Sequence, residues 1–123
     1  MAIDIKSLHI GSHGLVDGKR VCVCGITKRK IGYHHPGGRK DAHLCYARLN
    51  EVEPIPITPE LLAELGFQYR DNTYWERWFL GGFDIERKEG SSYFDYNCEI
   101  RLEYLHELED LYSLIYGVEL INE

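Results

Sequence analysis

The 123-residue chain reads as an α+β domain. Three observations predict this. The first half alternates apolar and polar residues in short runs separated by tight turns. Two later segments switch to helical spacing. Between them lies an aromatic-rich stretch broken by glycine-containing turns. The expected architecture is a small, curled, barrel-like antiparallel sheet, then a short helix, a three-strand antiparallel meander and a C-terminal amphipathic helix.

The strands of the first half come in order. Leu15-Val16 runs into Asp17-Gly18, a dipeptide suited to a two-residue hairpin, and Val21-Cys22-Val23-Cys24 returns from it. After a polar loop, His43 to Leu49 alternates again. Glu51 to Ile57 carries prolines at 54 and 56, which hold the backbone extended and exclude a helix. That segment reads as a connector inside one domain spanning 1–123.

The second half opens with a short helix. Thr58 caps it, Pro59 suits its first position, Glu60 complements its positive end and Gly66 ends it. Asn72 to Leu80, Phe83 to Arg87 and Tyr93 to Leu102 then form the meander, with turns at Gly81-Gly82 and Gly90-Ser91. In the last strand Phe94, Tyr96, Cys98, Ile100 and Leu102 share one face. Glu103 to Tyr116 follows as a helix whose apolar stripe is Leu105, Leu108, Leu111, Tyr112 and Ile115. Glu103, Glu107, Glu109 and Asp110 fall on its solvated side, and His106 at its polar edge. Val118 to Ile121 either pairs as a strand or packs.

Composition limits the function classes. The hydrophobic fraction, 44%, supports a modest core and excludes a disordered chain. No apolar run approaches the roughly 20 residues of a membrane helix, and the start lacks a secretory pattern, so a cytoplasmic protein is expected. Charge is uneven. Residues 1–50 hold nine Lys/Arg against three Asp/Glu, and residues 51–123 hold five against seventeen. The basic half and the acidic half either mark charged partners or neutralise each other in the fold.

Lys28 to Lys40 is the most unusual segment. Lys28, Arg29, Lys30, Arg39 and Lys40 flank a tip of glycines, two histidines and Tyr33. Cations neutralise phosphate, glycines admit close backbone approach, and a ring stacks on a base. The same residues also suit a solvated hairpin tip. Tyr74 to Phe79 is a second candidate, with Trp75, Arg77 and Phe79 on one face and Tyr74, Glu76 and Trp78 on the other. One face serves the core. The other presents rings beside a charge, unless both faces are buried.

Cys22, Cys24, His34, His35, His43 and Cys45 can be drawn as a zinc set, but they lack the paired spacing of structural zinc sites. Reduced, packed thiols, Cys98 included, and surface histidines are expected, with no metal or cofactor. No nucleotide-hydrolysis loop, serine-hydrolase elbow or zinc-protease motif occurs. A cysteine–histidine nucleophile pair stays open, since spatial neighbours are not visible in sequence.

Glu51 to Leu62 with Leu65-Gly66-Phe67, and Leu105 to Glu109 with Leu111-Tyr112, Ile115-Tyr116-Gly117 and Glu119-Leu120, resemble small proteins without an established activity from Bacteroides-type gut bacteria, their prophages and phages. Leu8 to Thr27 is similar to the start of that family. The resemblance brings no catalytic motif. Its phage context implies a role in binding host components or sequestering nucleotide immune signals.

The leading expectation is therefore a non-enzymatic binder of a phosphorylated, nucleotide-type ligand. Lys28, Arg29, Lys30, Arg39 and Lys40 would neutralise phosphate, Tyr33, Trp75 or Trp78 would stack a base, and Arg77 would add a planar donor. A homo-oligomer would help enclose the ligand. The alternatives are a protein–protein module or inhibitor meeting a host protein through the acidic half, and an enzyme with an unrecognised active site.

Overall fold

The computed structural model describes residues 8–35, 44–71, 75–88, 92–95 and 100–121. They form an α+β fold of two five-stranded antiparallel sheets and two helices. The chain divides into two compact units, residues 1–55 with 105–123 and residues 56–104. The division does not follow the basic and acidic halves, because the acidic C-terminal segment belongs with residues 1–55. That unit carries nine Lys/Arg against ten Asp/Glu, and the other carries five against ten.

In the first unit, β1 (His13–Val16), β2 (Lys19–Ile26), β3 (Lys30–His34), β4 (Cys45–Arg48) and β5 (Val52–Glu53) lie in the order β4-β3-β2-β1-β5. The expected Asp17-Gly18 turn joins β1 to β2. Both residues have positive φ, 52° and 75°, the geometry a two-residue hairpin requires. A register shift between Val23 and Gly25 leaves Cys24 without a partner on β3. Such a bulge adds local twist and curls the sheet. One face is the core, built from Val16, Val21, Val23, Ile31, Ala47 and Val52 with Leu8.

Within the segment read as a single basic loop, Lys30–His34 is a paired strand. Thr27 N–H donates to the Lys30 carbonyl at 2.9 Å, and Thr27 Oγ accepts from Lys30 N–H at 3.1 Å. Lys28-Arg29 is thus the tip of a tight turn, and β3 begins at once. Its sequence, Lys-Ile-Gly-Tyr-His, has the strand period, but the density of cations masked it. Residues 36–43, including Arg39, Lys40 and His43, lie outside the described residues.

The helix α2 (Leu105–Tyr116) packs on β1. Leu105, Leu108 and Leu111 are buried, each contributing roughly 1.5–3 kcal/mol of apolar transfer. Two expectations about this helix are corrected. Glu109 is 0% exposed and His106 2%, although both were read as its polar side. At 3.6 residues per turn Glu109 stands only about 40° from Leu105, so it belongs to the buried arc. Ile115, expected in the stripe, is 46% exposed. Residues 118–121 form no strand.

In the second unit, α1 (Pro59–Glu64) matches the expected short helix. Thr58 Oγ accepts from Leu61 N–H at 3.1 Å, and Gly66 follows the helix at φ 93°. The sheet order is β10-β9-β8-β7-β6, with β6 (Gln68–Asp71), β7 (Glu76–Leu80), β8 (Phe83–Arg87), β9 (Tyr93–Asp95) and β10 (Ile100–Leu102). The stretch read as one strand from Tyr93 to Leu102 folds back on itself, with Phe94 opposite Arg101 and Tyr93 opposite Leu102. Tyr93, Asp95 and Leu102 are buried there, whereas Ile100 is exposed. Among the described residues, no helix is long and apolar enough to cross a membrane.

Candidate ligand-binding site

The face of the first sheet opposite its core carries the polar groups. Alternation along β3 puts Lys30, Gly32 and His34 there, and alternation along β4 adds Tyr46 and Arg48. The register sets them in rows. Lys30 lies opposite Arg48, and Gly32 lies between Tyr46 and Gly25. The rows are two residues apart, about 6.5–7 Å along the strand.

Two adjoining hollows follow. A cationic cleft of about 480 Å³ is lined by Lys28, Arg29, Lys30, Arg48, Leu49 and Asn50. An apolar groove of about 590 Å³ is lined by Gly25, Ile26, Thr27, Lys30, Ile31, Gly32, Leu44 and Tyr46. Lys30 borders both. Leu49 N–H donates to the Arg29 carbonyl at 2.9 Å, which fastens the cation-bearing turn to the end of β4. Among the described residues, no salt bridge joins the side chains of Lys28, Arg29, Lys30 and Arg48 to a carboxylate, and the Arg48 N–H donates to Glu51 Oε1 at 3.0 Å. The Tyr46 ring is 70% exposed and edges over Gly32, where a Cβ would stand 3.5 Å from it. A Cβ at Gly25 would meet nothing within 4 Å. The paired glycines thus leave a flat strip beside an available ring.

This arrangement keeps Lys28, Arg29 and Lys30 together and adds Arg48, which sequence reasoning missed. Tyr33, expected to stack, points to the other face and packs partly buried against the core. Partial burial, then the nearby Cys45, pushes its phenol above the usual range. Tyr46, one position off in strand phase, is the exposed ring. The signal was present in His43 to Leu49, whose alternation places Tyr46 and Arg48 on one side, but the phase relative to β3 needed the register.

Trp75, Arg77 and Trp78 lie in the second unit, where they are committed to its packing. Trp75 meets Phe94 edge-on at 5.5 Å between ring centroids. Trp78 is 8% exposed and its indole N–H donates to Glu76 Oε1 at 2.7 Å. Arg77 pairs with Asp84 at 2.9 Å and Glu86 at 3.4 Å. Glu76 gathers further donors, Tyr93 O–H at 3.0 Å and Arg87 Nη2 at 2.7 Å. Burial alone would raise its pKa. Hydrogen bonds from Trp78, Arg87 and Tyr93 outweigh burial and lower it.

A second polar cluster in the first unit was not legible in sequence. His13 Nδ1 meets Glu109 Oε2 at 2.7 Å, and His13 N–H donates to Glu109 Oε1 at 2.8 Å. Cys22, opposite His13 in the β1–β2 register, bonds the same imidazole. Burial by itself would lower the His13 pKa. The bonds to Cys22 and Glu109 overcome burial and raise it to about 10. Beside this cluster His9 Nδ1 contacts Ser12 Oγ at 2.9 Å, and His9 Nε2 meets Glu119 at 3.2 Å.

Cys22 is buried, Cys24 half-buried and Cys45 exposed, all as free thiols, and Cys98 lies outside the described residues. Among the described residues, no three of His, Cys, Asp and Glu gather as a metal cage. Comparison with known proteins finds no match to a family model, a curated protein or a solved structure.

Proposed function

We propose that the protein binds a phosphorylated, nucleotide-type ligand on the outer face of the first sheet without transforming it. The observation that carries this reading is the Lys30–Arg48 pair set one row from the Gly25–Gly32–Tyr46 strip. Like charges directly across a strand pair are destabilising, and an anion between them reverses the sign. Lys28 and Arg29 add charge at the turn. A planar base would lie on the glycine strip against Tyr46 while its phosphate reached the cations, and Lys30 would serve both. The resemblance to phage and prophage proteins favours sequestration of a nucleotide signal as the purpose of such binding.

Titration calorimetry with mono-, di- and cyclic nucleotides tests the reading. Lys30→Ala or Arg48→Ala should weaken nucleotide and inorganic phosphate alike, by about tenfold or more. Tyr46→Ala should weaken the nucleotide by roughly five- to a hundredfold and spare phosphate, because the ring touches only the base. Losses confined to Trp75→Ala or Trp78→Ala would move the site to the second unit. A parent protein that binds no nucleotide overturns the proposal. The alternative is a docking module for a basic partner, favoured by the ten Asp/Glu against five Lys/Arg of residues 56–104. It predicts a nuclease-resistant protein partner and no nucleotide binding.

A further inference from the structure

The Cys22, His13 and Glu109 cluster carries an inference independent of the ligand site. The residues flanking the two-residue turn, Val16 and Lys19, form a hydrogen-bonded pair. Alternation then makes His13 and Cys22 a non-hydrogen-bonded pair, the kind whose side chains stand closest. Glu109 holds the imidazole from behind, with one oxygen on Nδ1 and the other on the His13 amide. With Nδ1 held by Glu109, the bond between the imidazole and Cys22 falls to the other side of the ring. His13 and Glu109 are 0% exposed and Cys22 is 8% exposed, so Cys22 is the member of the cluster that reaches solvent. Nucleophile, proton carrier and orienting carboxylate are therefore in sequence.

The surroundings select the electrophile. Attack on a carbonyl calls for a hydrogen-bond donor, most often an amide N–H, at the oxyanion. The nearby amides are engaged. Gly11 N–H donates to Val23 O, Val23 N–H to Ser12 O, Ser12 N–H to His9 O, and His13 N–H to Glu109. The oxygen nearest the thiol is an acceptor, the Gly11 carbonyl at 3.9 Å. An electrophile that develops no oxyanion on carbon, and whose leaving group takes a proton, suits this site.

We propose that Cys22 is a peroxide-reactive thiol, oxidised to sulfenic acid by a small hydroperoxide with His13 as proton donor. The sulfur attacks, and its proton leaves by way of His13. A sulfur–oxygen bond forms and the oxygen–oxygen bond breaks. His13 passes that proton to the departing hydroxide, which leaves as water. Sulfur loses two electrons and the peroxide gains them. The low exposure of Cys22 limits the oxidant to a small molecule, and sulfenic acid is reversible by thiols.

The test is oxidation of the reduced full-length protein by hydrogen peroxide with a cyclic 1,3-diketone as sulfenic-acid trap, read by peptide mass spectrometry. Cys22 should be labelled at least about tenfold faster than Cys45, although Cys45 is exposed and Cys22 buried. Urea should abolish that preference. His13→Gln and Glu109→Gln should slow Cys22 labelling by about tenfold or more while Cys45 keeps its rate. If those variants fail to fold, the native-against-urea comparison of the parent still decides. Cys22 labelling no faster than Cys45 in the native protein, or unchanged in urea, overturns the proposal.

Discussion

At the scale of single residues, two carboxylates set apart what is structural from what is reactive. Glu109 is a buried carboxyl group whose partner is His13. Removing one partner of a buried pair leaves the other uncompensated, so Glu109→Gln should cost about 3–5 kcal/mol in chemical denaturation at neutral pH. The pH dependence has a definite sign. The folded pKa of His13, about 10, lies above its ordinary value of 6.5. Its contribution is therefore fully present below about pH 6.5 and lost as pH rises through about 10. Denaturation curves across that window should show a loss of stability that His13→Gln removes. Glu76 behaves oppositely. Its lowered pKa makes its contribution present above the ordinary carboxylate value and lost as pH falls. Glu76→Ala, which strands the donors of Trp78, Tyr93 and Arg87, should destabilise by about 2–3 kcal/mol and make the parent's acid transition shallower in the variant.

Elements follow from local chemistry, and their phases decide which side chains meet. The Asp17-Gly18 turn fixes the register of β1 on β2, and that register places His13 against Cys22. The Lys28-Arg29 turn fixes β3 on β2, and β3 then pairs Lys30 with Arg48. The ligand-free protein holds that like-charged pair at a cost. Lys30→Ala should therefore raise stability by about 0.2–1 kcal/mol at low salt, with the gain fading as salt screens the pair. The same substitution should weaken anion binding. A rise in melting temperature coupled to lost affinity is the expected signature, and a fall would show that Lys30 is structural. Both turns are short and chemically marked, but only the first was read from sequence. Thr27 side-chain bonding at the second is invisible without coordinates.

On the scale of the whole molecule, the first unit closes only when residues 105–123 join residues 1–55. The acids of α2 thereby enter the unit that holds the basic stretch, and most of the charge imbalance in sequence cancels within it. α2 covers β1 with Leu105, Leu108 and Leu111 and reaches His13 through Glu109. Amides of α2 and of the β1–β2 hairpin should consequently share one opening event. Hydrogen exchange should show both protected alike in the parent and both faster in Glu109→Gln. If the hairpin kept its protection while α2 lost its own, the helix would be a separable cover.

The sequence by itself determined the α+β class, the hairpin at Asp17-Gly18, the short helix after Thr58 and the helix ending at Gly117. These depend on neighbours a few residues apart, so their causes lie within one segment. The clustering of Lys28, Arg29 and Lys30 was legible for the same reason. The tertiary structure alone decided that Tyr46 and not Tyr33 is the exposed ring, because strand phase is local but the facing surface is set by register. It alone placed Arg48 opposite Lys30. It alone brought Glu109 to His13, 96 residues away in the chain, and Cys22 to the same imidazole. A glutamate in a helix is solvated by default. Only a buried partner from another segment offsets its desolvation, and that partner is not written beside it.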